Sequence, residues 1–161
     1  MKKSEIKKIY EKFSVPQNII LHMQKVAELS GVLADRAKEK GIKVRKNIII
    51  KSALIHDVFK PDGKHHAKKM ADYLMEINER SMANLVEKHD FWQIDKLKTW
   101  DEKILYYADK RAYEDCVVSL QTRIDEGRKR NPGTLSEEVI KIEEKMKELE
   151  RDLSMKISVQ F

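Results

Sequence analysis

Apolar residues recur at steps of three and four along almost the whole chain, and nowhere do they alternate convincingly with polar ones. The 3.6-residue period marks amphipathic helices, and the missing two-residue period leaves little room for a sheet. Only 5 Gly and 3 Pro interrupt 161 residues, and long stretches carry Lys, Glu, Leu and Ile. All four residue types fit helices, Lys, Glu and Leu best. The expected fold is therefore all-α, a helical bundle with an additional C-terminal helix. Helices are predicted over 4–12, 16–40, 47–59, 64–79, 81–89 and 101–130. Pro16 opens the second, Gly41 lies just past its end, and Asn47 and Ser81 read as caps. Pro61 with Gly63, and Asn131-Pro132-Gly133, read as breaks. Thr134 with Glu137 fits a capping box for the last helix. That helix carries Val139, Ile142, Met146, Leu149 and Leu153, a stripe too short for a coiled coil. It reads as a lid packed on the domain, with a homodimer contact as the alternative. The chain divides on this reading into a domain over 1–133 and the C-terminal helix over 134–161. Residues 155–161 are expected to extend as a strand or to fray.

Hydrophobic residues make up 41% and charged residues 37%, enough for one domain with a real core and a heavily charged exterior. The net charge of +6 fits a solvated lysine-rich surface or an anionic partner such as a nucleotide. The basic clusters Lys2-Lys3-Lys7-Lys8 and Lys38-Lys40-Lys43-Arg45-Lys46 are not interleaved with aromatics, which disfavours nucleic acid as the partner. The single cysteine, Cys116, excludes an intrachain disulfide and a thiolate metal site. No apolar run follows the first lysines, and no segment approaches the ~20 apolar residues of a membrane span. A cytoplasmic protein with no membrane segment is expected.

The informative positions are those where the apolar stripe fails. His22 lies on the stripe of Ile19, Val26, Leu29 and Leu33. His56 and Asp57 end the run Ile48-Ile49-Ile50…Ala53-Leu54-Ile55, which is apolar on nearly every side. His66 shares a face with Met70, Tyr73, Leu74 and Ile77, and His89 follows Leu85 and Val86. Asp109 lies with Leu105, Ala112 and Cys116, whereas His65 falls with Lys69 and Asp72 on a polar face. A buried carboxylate must be paired or bound to metal, because isolating its charge costs several kcal/mol. Each residue has its own simpler account: a hydrogen-bonded core histidine, or for Asp57 and Asp109 an arginine partner, with Arg111 beside the latter. One divalent cation at their convergence explains all of them together. Imidazole and carboxylate ligands suit Mn, Fe, Ni, Zn, Co or Mg.

The ordered set His22…His56-Asp57…Asp109 resembles the HD-domain superfamily of metal-dependent phosphohydrolases. The flanks agree: Pro16-Gln17-Asn18-Ile19-Ile20-Leu21-His22, Ala53-Leu54-Ile55-His56-Asp57-Val58-Phe59-Lys60 and Ile104-Leu105-Tyr106-Tyr107-Ala108-Asp109-Lys110. The resemblance spans 16–115 and implies an all-α HD-domain bundle. It implies that His22, His56, Asp57 and Asp109 bind a first metal. With His66 and His89 the set is similar to the six-ligand, two-metal type, in which Asp57 bridges the ions. The alternative for His66 and His89 is direct contact with substrate phosphate. The extra motifs of members that cleave cyclic dinucleotides are missing.

The implied activity is hydrolysis of a phosphomonoester, phosphodiester or phosphoanhydride of a small substrate, a nucleotide above all. Asp57 and Asp109 would be the catalytic carboxylates. Lys60, Lys64, Lys110 and Arg111 lie close to the ligands in sequence and are candidates for phosphate contacts, with plain surface charge as the equal alternative for each. The rival readings are a non-catalytic module that binds metal or nucleotide, and a purely structural helical domain.

Overall fold

A computed structural model of the chain describes residues 1–133 and 135–158. The elements are α1 (Lys3–Lys12), α2 (Gln17–Glu39), α3 (Lys46–Ala53), α4 (His66–Glu76), α5 (Arg80–Glu87), α6 (Trp100–Arg111), a hairpin of β1 (Ala112–Tyr113) and β2 (Cys116–Val117), α7 (Leu120–Arg130) and α8 (Glu137–Ile157). Short 3-10 turns at Lys60–Asp62 and Phe91–Lys96 complete the list among the described residues. The expected all-α class holds. No helix among the described residues is long and apolar enough to cross a membrane.

Two apolar clusters form the interior. One gathers Leu33, Ile49, Leu105, Tyr107 and Leu153 from α2, α3, α6 and α8. The other gathers Ile9, Met23, Ile55, Met70, Leu74 and Met82 from α1 to α5. Neighbouring residues divide between them: Met23 faces one and Val26 the other, and so do Ile55 and Ala53, and Val86 and Leu85. His22, His56 and His89 come from these three segments and therefore lie along the seam. α8 lies against α2 and α6 and buries Ile142, Met146, Leu149 and Leu153 in the first cluster.

The end of α2 follows its sequence signal. Gly41 takes φ +74°, Ile42 N–H donates to Ala37 C=O at 2.9 Å and Gly41 N–H to Lys38 C=O at 2.9 Å. This double bond pattern closes a helix where a side chain at the left-handed position would strain. Other boundaries differ from expectation. α3 begins at Lys46 rather than after an Asn47 cap, and α5 has Ser81 inside its first turn. Helix α6 is opened by Thr99, not Asp101: Glu102 N–H donates to Thr99 Oγ1 at 3.3 Å and Thr99 N–H to Glu102 Oε2 at 2.8 Å. Asp101 instead takes Arg45 Nε at 2.6 Å and Arg45 N–H at 2.9 Å, joining the starts of α3 and α6. Thr99→Ala removes one of these cap bonds and is expected to lower unfolding stability by about 1 kcal/mol in a urea titration.

Two predicted helices are cut short. α3 stops at Ala53 instead of running to residue 59, and 54–59 is a series of tight turns. The carbonyls that would continue the helix accept side chains instead: His56 Nδ1–H donates to Ala53 C=O at 2.7 Å, and Tyr10 O–H donates to Leu54 C=O. The expected helix over 101–130 is broken by the hairpin. Val118 N–H donates to Arg111 C=O at 2.8 Å, Arg111 Nε–H returns to Val118 C=O at 2.5 Å, and Glu114 turns the tip with φ +52°. Ser119 then caps α7 by accepting from Thr122 N–H at 3.0 Å. Ser136, accepting from Val139 N–H at 3.3 Å, caps α8. Thr134, expected in that role, lies outside the described residues. The end of the chain is helical to Ile157 rather than extended, and 159–161 lie outside the described residues.

Candidate metal centre

The six inward polar residues of the sequence converge on one point. His22 comes from α2, His56 and Asp57 from the turns after α3, His66 from the first residue of α4, His89 from just beyond α5, and Asp109 from α6. All are buried except His66, which is partly exposed; Asp57 is 1% exposed and His56 0%. His65 is exposed, as its polar face predicts.

Asp57 organises the cluster through its two oxygens. Oδ2 faces His22 Nε2 at 3.5 Å and His56 Nε2 at 3.6 Å. Oδ1 faces His66 Nε2 at 3.2 Å and His89 Nε2 at 3.3 Å. Asp109 Oδ1 completes the first side, 3.1 Å from His22 Nε2 and 3.4 Å from His56 Nε2. Two groups of donors result, His22–His56–Asp57–Asp109 and Asp57–His66–His89, with Asp57 common to both.

The local backbone sets the imidazoles. His56, His66 and His89 each donate Nδ1–H to the carbonyl three residues back, on Ala53, Gly63 and Val86, at 2.7, 2.9 and 2.5 Å. A proton on Nδ1 leaves the lone pair of the neutral ring on Nε2, and all three Nε2 atoms turn inward. Two such lone pairs face each other across 3.3 Å at His66 and His89. His56 Nε2 is fully buried with no hydrogen-bond partner. Lone pairs and carboxylate oxygens packed this way repel, and a cation or a proton between them relieves the repulsion. Thiol is missing from the set, since Cys116 is exposed on β2. This hard and borderline donor chemistry fits a divalent cation.

The charges around the cluster are consistent with that fit. Burial pushes the Asp57 carboxyl up, but positive charge on His56 and Lys60, and Nε2–H bonds from His66 and His89 when those rings carry a second proton, outweigh it and hold the group well below the usual carboxylate range. Asp109 is likewise raised by burial and lowered further by Lys110, His22 and His56, so it too stays ionised. His89 is lowered, chiefly by burial. Burial also lowers His66, yet its bond to Asp57 and that carboxylate's charge win, and its net shift is upward.

Of the four basic candidates, two touch the cluster. Lys60 Nζ binds Asp57 Oδ2, and Lys110 Nζ binds Asp109 Oδ2 at 2.5 Å and His89 C=O at 2.9 Å. Asp109 is thus paired with Lys110, not with the expected Arg111. Arg111 is engaged with Val118 C=O, the Tyr107 hydroxyl at 2.5 Å and Glu150 at 3.2 Å. Lys64 is exposed. Sequence reasoning missed a cavity of about 560 Å³ whose lining includes His22 and Lys60 together with Tyr113, Arg123 and Arg130. The signal available for that wall was Ser119, a good cap in the middle of an apparent helix.

No curated protein and no solved structure matches the chain. The profile of the HD domain matches residues 19–144, which take in the segments that supply all six inward residues. The chain belongs to the HD domain family, whose members are mostly metal-dependent phosphohydrolases.

Proposed function

We propose that the protein is a metal-dependent phosphohydrolase that cleaves a phosphate ester or anhydride of a small substrate, a nucleotide being the class its cavity and basic wall suit best. The observation that carries this is the division of Asp57 between two histidine pairs, one on each carboxylate oxygen. His22, His56, Asp57 and Asp109 would hold one divalent ion, and Asp57, His66 and His89 a second. Such ions acidify water toward neutrality and offset charge developing on phosphoryl oxygens.

The chain's own residues do the rest. Asp57 holds both halves of the site in register. Asp109 is ionised at neutral pH and would complete the first ion's donor set, and it is the carboxylate that would receive the proton of the attacking water. Lys60 and Lys110, each an ammonium on a buried carboxylate, lie where phosphate oxygens are received. Water is excluded from the far side of the site by the burial of His56 and His89.

The test is hydrolysis of 4-nitrophenyl phosphate by chelator-free protein with and without added Mn, beside elemental analysis of the purified protein. Turnover that depends on Mn, with one to two equivalents of bound metal, is the expected result. Bound metal without turnover on this ester or a nucleotide set would leave a binding module, and a folded protein with no Mn affinity would end the metal reading. Proton competition gives a second expectation. An ion at Asp57–His66–His89 must displace the His66 proton, whose pKa lies above the ordinary 6.5. Metal content at that group is therefore expected to fall as pH is lowered through the His66 value, and equilibrium dialysis at pH 8 and pH 6 reads the difference.

A further inference from the structure

The cavity beside the metal centre is lined by two sets of basic residues, and the hydrolase reading uses only one. His22 and Lys60 belong to the metal centre, and Arg123 and Arg130 of α7, with Tyr113 of β1, come from outside it. Arg123 is the unexplained residue. It is partly buried, its Nε is fully enclosed, and that N–H has no hydrogen-bond partner. Among the described residues no ion pair joins it to a carboxylate. This holds although Glu114 and Asp115 line the same cavity at the exposed hairpin tip. Arg130 is anchored differently: its Nε reaches Glu126 C=O at 3.3 Å and its guanidinium lies over the Tyr113 ring at 5.7 Å.

A guanidinium whose inner N–H is enclosed without an acceptor and which has no carboxylate partner is stabilised by an anion at its terminal nitrogens, on the side where Arg123 lines the cavity. His22 and Lys60 already serve the metal centre, so the anion at Arg123 is taken as a separate group of the same molecule. The volume of about 560 Å³ falls in the range of pockets for nucleotide-sized ligands. We infer that the α7 wall is a second anion subsite, with Arg123 as its specificity-determining residue. The substrate class is accordingly one that carries at least one phosphate besides the group at the metal centre, such as a nucleoside diphosphate or a longer polyphosphate. This inference rests on the hydrolase reading for its choice of ligand, and adds to it the residue that selects the substrate.

The test compares two adenine nucleotides of equal base and sugar, AMP and adenosine 5′-(α,β-methylene)diphosphate, whose carbon bridge resists cleavage. Binding of each to Mn-loaded protein is measured by calorimetry for the parent, Arg123→Gln and Arg123→Lys, with thermal melts to confirm that each variant folds. The parent is expected to bind the diphosphate analogue about tenfold or more tightly than AMP, as a charge-assisted bond implies. Arg123→Gln is expected to bring that ratio close to one, and Arg123→Lys to retain part of it. A parent ratio near one, no binding of either nucleotide, or a ratio that survives in Arg123→Gln overturns the inference. Hydrolysis of 4-nitrophenyl phosphate is read in parallel. If it fails while the ratio behaves as expected, the hydrolase reading falls and the α7 subsite stands.

Discussion

Asp57→Ala is expected to empty both halves of the metal centre and to reduce Mn-dependent ester hydrolysis by about 1,000-fold or more, equivalent to ~4 kcal/mol of transition-state stabilisation. Among the described residues no other has this reach, because Asp57 is the one member common to the two donor groups. Truncating His89 or His66 removes a donor from one group only, and truncating His22 or Asp109 from the other. Those variants are expected to keep part of the bound metal. The Asp57→Ala chain should still fold, since the apolar clusters on either side do not include the residue. Asp57→Asn keeps the shape and removes the charge, which separates loss of a ligand from loss of packing. Elemental analysis beside a thermal melt reads both. A folded Asp57→Ala protein with unchanged metal content and turnover would sink the site as described.

Metal loading is the second large effect. With free ion about 1,000-fold above its dissociation constant, a single occupied site stabilises the folded state by ~4 kcal/mol. For a chain of this size each kcal/mol moves the melting temperature by roughly 2–4 °C, so a rise of about 8–16 °C is expected on adding Mn, reversed by chelator. Asp57→Ala should show no such rise. The sign against pH is also defined. Asp57 and Asp109 have depressed values in the metal-free protein, so their contribution is present above the unfolded carboxylate value and is lost as pH falls through the folded one. His66 is raised, so its contribution is present below its unfolded value and fades as pH rises through the folded one. The gain from metal is therefore expected to be larger above pH 7 than at pH 6.

The candidate ligands were legible in the sequence because burial of a charge needs a reason, and the helical period marked them as inward even at His56, Asp57 and His89, where the structure has turns just beyond the helices. Gly41 was legible for a similar reason: a left-handed residue at a helix end has few substitutes. The ends of α3 and α6 were not. Neither break carries a glycine or proline at the point where the helix stops. α3 is ended by His56 and by Tyr10, whose hydroxyl caps a carbonyl 44 residues away in the chain. α6 is ended by a reciprocal Arg111–Val118 pairing. Contacts of this kind override local propensity, and the trace left in the sequence is slight, a capping residue at Ser119 after the second break. The α7 wall stayed hidden for the same reason, since a continuous helix over 101–130 would have carried Arg123 away from His22.

The imidazoles held by Ala53, Gly63 and Val86 have a further consequence. Their donor atoms are oriented by the backbone before any cation arrives, so like partial charges are crowded together when the protein first folds. Apolar replacements in this seam should yield a sturdier but inert protein. The chain thus trades resilience for readiness, and natural variation that favours one of these will erode the other.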